Sequence, residues 1–411
     1  MSDTFCPMPF LHLNLKQEGK VCACWRNQTR LGNSLDQSLE EIYNSDETKN
    51  LRQQLYNGIQ AEGCKSCWDM EASGITSTRQ NALNDWKDFD KNKISEDFSM
   101  PVENLKSVEI RFDNICNLMC RHCSPVYSSL WEQNVKKDSA LLESMKEYGI
   151  SKDFDYHISI NDKILDDIEN IAPYVEELII SGGEPLYHSK HYEFLERLQP
   201  WAHKITLNYN SNLSTLEYKG KSIIPLWKKF KEISLLCSID ATKELYPYVR
   251  VNGNIDKVES NIKTIQQELD NCYIQATCTT SILNVTRLAD VVKYFISLKV
   301  GVHVSLVQYP RALNPKILPA VLKEKITKDW INFIDEIDSM LDVIFDKRSA
   351  DWKLRYKNKV IKRGDYILTY MNSEDASSEW HKFYNFIKHQ DKFHNTDVLE
   401  VYPEFKGYLD V

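Results

Sequence analysis

Three cysteines, Cys116, Cys120 and Cys123, fall within the short segment CNLMCRHC. Cysteine thiolates bind zinc and iron-sulfur clusters, and a structural zinc site is closed by four ligands. Three thiols therefore leave one coordination position open, either on a zinc ion or on one iron of a cubane cluster. Zinc completed by a distant fourth Cys or His is the alternative that this segment, taken alone, leaves open.

A second segment that could bind a ligand is Ser181-Gly-Gly-Glu-Pro185, which follows an apolar run. Two consecutive glycines let the backbone approach a bound molecule closely. The carboxylate of Glu184 and nearby carbonyls can accept hydrogen bonds from an ammonium group. A glycine pair after a strand is often only a turn, but here it accompanies the three-thiol segment. We therefore interpret both segments as parts of one ligand site.

Further thiols are concentrated near the start of the chain. Eleven cysteines are many for a reducing compartment, where clustered thiols usually bind metals or catalyse reactions instead of forming disulfides. Four thiolates from this region would complete a tetrahedral zinc site or a whole [4Fe-4S] cluster, and the pattern does not choose between them. The candidates are Cys6, Cys22, Cys24, Cys64 and Cys67. The isolated Cys237, Cys272 and Cys278 are interpreted as core residues.

Short apolar runs alternate with helical patterns between about Leu105 and Val307, which predicts a parallel sheet. The fold class is therefore α/β, as either an open doubly wound sheet or a partial barrel. In both architectures the chemistry lies at the carboxyl ends of the strands, where the three-thiol and Gly-Gly segments fall. The predicted strands are Val108–Phe112, Leu178–Ser181, Ile205–Tyr209, Ile233–Ile239, Tyr273–Thr277 and Val302–Val307.

The pattern divides the chain into three predicted regions. Residues 1–99 form a cysteine-bearing module, residues 100–318 form the α/β core, and residues 319–411 form a C-terminal helical region. Apolar residues from Ile326 to Ile344 recur at helical spacing, which predicts a long amphipathic helix there.

Composition narrows the classes of partner and location. A net charge of -8 argues against broad binding to nucleic acid or anionic membranes. No signal-peptide pattern and no apolar run of membrane-spanning length is found, so we expect a cytoplasmic protein. His188 and His191 are interpreted as a solvated helix start, and the basic segment from Trp352 to Arg363 as a solvated face.

Together, Cys116-x-x-x-Cys120-x-x-Cys123 and the Gly-Gly-Glu-Pro turn resemble the radical S-adenosylmethionine (radical SAM) superfamily. The resemblance implies a partial (β/α)6 TIM-like barrel and a [4Fe-4S] cluster on these three cysteines. It also implies that the open iron binds S-adenosylmethionine (SAM). Reductive cleavage of SAM would give a 5′-deoxyadenosyl radical that takes a hydrogen atom from a substrate.

The resemblance assigns further positions to SAM binding. The glycines and Glu184 match the turn that holds the methionyl ammonium, and Arg250 sits where relatives often place a basic residue near the SAM carboxylate. His122 stands where members carry an aromatic residue near the adenine. The complete set is Gly182, Gly183, Glu184, Ser211, Asn212, Ser238, Asp240, Arg250 and His122.

The N-terminal cysteines resemble the auxiliary-cluster module of radical SAM proteins with an N-terminal twitch (SPASM-like) domain. This resemblance implies a second, auxiliary [4Fe-4S] cluster; a structural zinc knuckle is the alternative. Many relatives carry Cys-Cys where Trp25 follows Cys24 here, so the choice between Cys22 and Cys24 stays open. The implied ligands are Cys6, Cys24, Cys64 and Cys67.

Three functions follow from these resemblances. The first is a radical SAM enzyme that modifies a peptide or protein; the second is one that acts on a sugar, nucleotide or amino acid. The third is a non-catalytic iron-sulfur or zinc protein, which the Gly-Gly-Glu-Pro turn argues against because such a carrier needs no SAM pocket. An enzyme would also need a low-potential electron donor such as flavodoxin or ferredoxin. The sequence identifies no residue that contacts the reacting substrate atoms.

Overall fold

The computed structural model describes residues 4–72, 76–147, 160–307 and 310–408. The chain divides into two compact units. The first unit comprises Met1–Asp113, Tyr156–Tyr209 and Tyr218–Ile233. The second comprises Asn114–Asp155, Asn210–Glu217 and Ser234–Val411.

The strands are short and are separated by helices along most of the chain. In chain order they are β1 (His12–Leu15), β2 (Lys20–Cys22), β3 (Gly32–Asn33), β4 (Ser107–Arg111), β5 (Met119–Cys120), β6 (Glu177–Ser181), β7 (Thr206–Ser211), β8 (Glu217–Tyr218), β9 (Lys221–Ser222), β10 (Glu232–Ser238), β11 (Arg250–Val251), β12 (Cys272–Thr280) and β13 (Gly301–Leu306).

The α-helices include the two long ones near the C-terminus. They are α1 (Met8–Leu11), α2 (Leu39–Tyr43), α3 (Asp46–Tyr56), α4 (Lys65–Ala72), α5 (Thr78–Asp85), α6 (Ser129–Val135), α7 (Ser139–Glu147), α8 (Asp162–Ile171), α9 (Ser189–Arg197), α10 (Ile224–Trp227), α11 (Tyr246–Val249), α12 (Ile255–Glu268), α13 (Ile282–Val285), α14 (Leu288–Ser297), α15 (Ala320–Ile344), α16 (Ala350–Asn372), α17 (Trp380–His394) and α18 (Val398–Val401).

The sheet of the first unit joins N-terminal strands to the predicted core strands in the order β3-β2-β1-β4-β6-β7. Strand β1 pairs in parallel with β4, with His12 opposite Ser107, and β4 pairs in parallel with β6. On β4, Val108 and Ile110 are buried whereas Glu109 and Arg111 are half-buried. Since side chains alternate between faces, one face carries apolar residues and the other carries polar ones.

The second unit contains the strand order β10-β12-β13 and a separate antiparallel pair, β5 with β11. Its C-terminal helices α15 and α16 pack closely at Gly364, where an added Cβ would lie 1.9 Å from the ring of Trp330. That ring is itself buried, so the helices approach this closely because residue 364 has no side chain. None of the helices in the described ranges is long and apolar enough to cross a membrane.

The predicted α/β class is confirmed, since each predicted strand overlaps one of β4, β6, β7, β10, β12 and β13. The predicted long helix is α15. Strands β1, β2 and β3 were not predicted, and the boundaries at residues 99 and 318 stay predictions. The interpretation of His191 as solvated is wrong: this residue is fully buried and its Nε2 lies 2.8 Å from the hydroxyl of Tyr209.

Candidate metal centres

Four N-terminal cysteines border one cavity in the first unit. Cys6 precedes helix α1, Cys24 follows strand β2, Cys64 ends a 3-10 turn, and Cys67 lies in the first turn of α4. Met8, Leu55 and Trp68 supply apolar parts of the wall. The folding of this region therefore gathers thiols that are distant in sequence around one small volume.

Burial dominates the electrostatics of this cavity. Burial, followed by the proximity of Cys24, raises the pKa of the Cys6 thiol well above its ordinary value. Burial likewise raises the pKa of Cys24 to about 12. Thiolates in such surroundings need positive charge close by, which a bound metal cluster would supply.

Cys22 and Cys24 are placed differently. Cys24 borders the cavity, whereas Cys22 lies in β2 opposite Asn14 of β1. Burial raises the pKa of Cys22, and the neighbouring charge of Lys16 partly offsets that effect. The structure thus brings Cys24, and not Cys22, to the cavity that Cys6, Cys64 and Cys67 share.

The three-thiol segment forms a loop in the second unit. Cys120 lies in β5 directly opposite Arg250 of β11, and its carbonyl accepts hydrogen bonds from the Cys123 amide (2.9 Å) and the Trp131 indole (3.0 Å). The amide of Cys116 donates to the hydroxyl of Ser129 at 3.3 Å. Burial raises the pKa of Cys120. The backbone of the loop is therefore fixed at each of its cysteines.

Arg121, inside this loop, is fully buried and joins it to the C-terminal helices. Its guanidinium donates to the Tyr248 carbonyl at 2.8 Å and to the Thr396 hydroxyl at 2.6 Å. It also pairs with Asp391 of α17 at 3.0 Å. Gln390 of the same helix donates to the Arg121 carbonyl at 3.1 Å.

The Gly-Gly-Glu turn lies at the carboxyl end of β6 in the first unit. Gly182 has φ +148, and a Cβ there would lie 2.9 Å from the carbonyl oxygen of Asp113. The amide of Gly183 donates to that same oxygen at 2.7 Å. Glu184 is buried and its carboxylate accepts from the Leu186 amide at 3.1 Å. Glycine at position 182 is therefore required by both conformation and space.

Asn212 connects the end of β7 to the cysteine loop within the second unit. Its side-chain amide donates to Asn117 at 3.0 Å and lies 3.9 Å from the sulfur of Cys116. The hydroxyl of Ser211 accepts from the Leu213 amide at 2.9 Å. These contacts place Asn212 beside the first cysteine of the loop.

His122, Asp240 and Arg250 form a buried cluster in the second unit. The Asp240 carboxylate pairs with Arg250 at 2.5 Å and lies 3.3 Å from His122 Nε2. Burial alone would raise the pKa of Asp240, but the charges of Arg250 and His122 and the amide of Thr279 hold it below its ordinary value. Ser238, at the end of β10, is half-buried two residues before Asp240.

Sequence analysis did not identify three residues that contact these sites. They are Asn27, whose side-chain amide donates to the Cys64 sulfur, and the ion pair of Arg121 and Asp391. Asn27 stands only three positions after Cys24, so its nearness to a candidate ligand is visible in the sequence. No sequence motif, however, marks an asparagine as a hydrogen-bond donor to a cysteine ligand. Arg121 stands inside the motif, while its partner is distant in sequence and carries no signal.

Within the described part of the chain, no three His, Cys, Asp or Glu side chains form a group that could hold a single metal ion. The donor chemistry nevertheless fits iron-sulfur clusters, because cysteine thiolates are their usual protein ligands. Four such thiols border the N-terminal cavity, and three lie in the loop of the second unit.

Two family models match this chain, one over the three-cysteine loop and one over the N-terminal cysteines. Residues 110–287 match the model of the radical SAM superfamily. Residues 6–68 match the model of an iron-sulfur cluster-binding domain, SPASM. No protein of curated function matches the chain.

Among solved structures, the chain is similar to hexahistidine-tagged anSMEcpe with bound AdoMet, at 18% identity and a TM-score of 0.39, over 60% of this chain and 65% of that one. It is also similar to Streptococcus suis SuiB bound to the precursor peptide SuiA, at 16% identity and a TM-score of 0.37, over 70% of this chain and 63% of that one. The match spans less than two thirds of either structure.

Proposed function

We propose that this chain, a radical SAM enzyme with an N-terminal iron-sulfur cluster-binding domain, cleaves SAM reductively and takes a hydrogen atom from a peptide or protein. The observation that carries the proposal is the match of residues 110–287 to the radical SAM superfamily, which includes the three-cysteine loop. Bound at that loop, a [4Fe-4S] cluster with SAM would supply the one-electron chemistry that yields a 5′-deoxyadenosyl radical.

In this proposal the residues of the chain hold and orient the cofactors. Cys116, Cys120 and Cys123 would ligate the SAM-binding cluster, with Asn212 beside the first of these sulfurs. The open backbone at Gly182 and Gly183 would allow the methionyl end of SAM to approach, and Glu184 would accept from its ammonium.

Asp240, Arg250 and His122 would serve SAM binding as one charged unit. Because Arg250 and His122 both contact the Asp240 carboxylate, each fixes the orientation of that group. Arg250 is also opposite Cys120 in the β5–β11 pair, so its position is tied to the cysteine loop. Ser211 and Ser238, which end β7 and β10, complete the proposed set.

The proposed substrate class is a peptide or protein. The N-terminal domain of this chain resembles the auxiliary-cluster domains that accompany radical SAM cores in peptide-modifying enzymes. The cysteines Cys6, Cys24, Cys64 and Cys67 would hold the auxiliary [4Fe-4S] cluster. We propose a low-potential electron donor such as flavodoxin or ferredoxin.

The test is release of 5′-deoxyadenosine by anaerobically reconstituted protein given dithionite and SAM, measured by liquid chromatography and mass spectrometry. Parental protein should release it, and Cys120→Ala should not. Cys272→Ala, which removes a half-buried cysteine at the start of β12 and outside both sites, is the control and should cleave SAM. Cleavage by Cys120→Ala at the parental rate would refute the role of the loop.

The substrate class needs a separate measurement. Short peptides encoded beside the gene would be added, and a mass change in one of them should appear together with increased 5′-deoxyadenosine. If no peptide changes in mass or increases 5′-deoxyadenosine release, while a sugar, nucleotide or amino acid is converted, the substrate is a small molecule.

A further inference from the structure

Asn27 is a buried amide at the N-terminal cavity. It borders the cavity together with the cysteines and is only 1% exposed. Its side-chain nitrogen donates to the sulfur of Cys64 at 3.3 Å. A buried asparagine amide normally donates to backbone carbonyls or to oxygen atoms of polar side chains. Donation to a cysteine sulfur therefore suggests that Asn27 has a role at the cavity.

The same turn also begins at a second cavity thiol, Cys24. Asn27 follows Cys24 in a tight turn in which the Asn27 amide lies 3.2 Å from the Cys24 carbonyl. The backbone N–H groups of Arg26 and Asn27 lower the pKa of the Cys24 thiol, against the larger effect of burial. One short segment therefore carries a cavity thiol, Cys24, and the side-chain donor to the sulfur of another, Cys64.

The position of this turn is fixed from two sides. The amide of Gln28 donates to the Gly63 carbonyl at 3.0 Å, and a Cβ at Gly63 would lie 2.1 Å from the hydroxyl of Thr29. Lys16 donates to the Asn27 carbonyl at 2.6 Å. Because both sides of the turn are held, contacts within the protein set the position of the Asn27 donor.

The two arginines that border the cavity, Arg26 and Arg79, have polar partners other than the cysteines. Arg79 also borders the cavity, but its guanidinium pairs with Glu71 at 2.5 Å. Arg26 directs its guanidinium to the hydroxyls of Thr78 and Ser66, each at 3.0 Å. The side-chain amide of Asn27, in contrast, donates directly to a cavity sulfur, that of Cys64.

We propose that Asn27 is a positioning residue that sets the reduction potential of the iron-sulfur cluster held by Cys6, Cys24, Cys64 and Cys67. Reduction adds one negative charge, which spreads over the cluster and its cysteine sulfurs. A hydrogen bond to a ligand sulfur stabilises that added charge more than it stabilises the oxidised state, so it raises the potential. The inference rests on the second cluster of the proposed function and assigns it a tuning residue.

The experiment compares full-length, reconstituted Asn27→Ala and Asn27→Asp with parental protein by potentiometric titration followed by electron paramagnetic resonance. Asn27→Asp keeps the side-chain shape but replaces the donor with an acceptor. Gln28→Ala is the matched control, because the neighbouring Gln28 is exposed and its amide reaches the Arg26 carbonyl instead of a sulfur. Adding SAM distinguishes the two clusters, since it perturbs the signal of the cluster with an open iron.

The auxiliary midpoint should move to more negative potential in both Asn27 variants, and further in Asn27→Asp, while Gln28→Ala stays at the parental value. Unchanged midpoints with full iron content would overturn the inference. Loss of the auxiliary cluster from both variants would also overturn it, in favour of a role in assembly alone. Parental protein that binds about four irons instead of about eight per chain would refute the second cluster itself.

Discussion

Cys24 is separated from Cys22 by a single residue, yet the two side chains have different surroundings. The strand β2 ends at Cys22, which is paired with Asn14, and the chain then turns so that Cys24 borders the cavity. The backbone N–H groups of the following turn lower the pKa of Cys24, against the larger effect of burial. N–H groups close to a sulfur stabilise the thiolate, which is the form that binds metal.

Exchange of each cysteine for serine tests this difference. We expect Cys24→Ser to lose about four of about eight irons per chain, and Cys22→Ser to keep them, because only the first removes a cavity thiol. Iron and sulfide analysis after anaerobic reconstitution measures the outcome. If Cys22→Ser loses the iron and Cys24→Ser retains it, the assignment is reversed.

His12 is a buried residue outside both candidate sites, and it predicts how stability depends on pH. Its Nδ1 lies 2.8 Å from the hydroxyl of Ser107, which donates to Glu177 at 2.9 Å. Burial lowers the pKa of His12 to about 3. The folded protein therefore keeps this ring neutral at pH values where the unfolded chain protonates it.

Acidification should destabilise the protein from about pH 6.5 downwards, because the unfolded state then binds a proton that the folded state excludes. For His12 alone the loss between pH 7.5 and 5.5 is about 1.4 kcal/mol. Urea unfolding at both pH values measures the free energy of unfolding. Its decrease from pH 7.5 to 5.5 should be smaller by that amount in His12→Asn than in parental protein. The control is His203→Asn, which alters an exposed histidine and should keep the parental pH dependence. Equal losses in His12→Asn and parental protein would contradict the prediction.

At the scale of elements, helix α17 acts on the cysteine loop through Asp391. One carboxylate oxygen of Asp391 accepts from Tyr248 at 3.0 Å and Thr396 at 2.7 Å and pairs with Arg121, while the other accepts from the Val398 amide at 2.7 Å. Removal of one partner from a buried ion pair leaves the other charge uncompensated and costs about 3–5 kcal/mol. The C-terminal helices therefore help to hold the loop conformation.

Asp391→Asn should weaken this link and release iron from the three-cysteine loop more readily. The measurement is the rate of iron loss to a chelator under anaerobic conditions. Glu379→Gln is the control, since it removes the surface pair of Glu379 with Lys382 at the start of the same helix. Equal rates for Asp391→Asn, Glu379→Gln and parental protein would show that α17 does not stabilise the loop.

Elements and sites differ in how far the sequence predicts them. Continuous apolar runs such as Leu178–Ser181 predict strands because burial on both faces needs apolar residues throughout. Strand β1 was missed because His-Leu-Asn-Leu is short and half polar, and its pairing with β4 depends on a partner far along the chain. The thiol spacings mark the site locally, whereas Asp391 contributes only through folding and has no sequence signal.

For the whole molecule, the pairing of β1 with β4 bears on whether residues 1–99 form a separable module. Leu13 and Leu15 of β1 are buried, and residues 12–15 lie opposite Ser107–Ile110 in parallel register. The N-terminal region thus completes the sheet of the first unit in addition to carrying cysteines. A chain that begins at Met100 would lose this strand and expose the hydrogen-bonding edge of β4.

We expect the chain that begins at Met100 to aggregate, because an unpaired edge beside newly exposed apolar residues promotes association between chains. The matched control is full-length protein with serine at Cys6, Cys24, Cys64 and Cys67, which removes the cavity thiols but keeps β1. Size-exclusion chromatography and the iron content of the three-cysteine loop measure both proteins. The control should elute as a single species with about four irons. A truncated chain that is equally monodisperse and binds the same iron would show that residues 1–99 are a separate module and that β4 does not need β1.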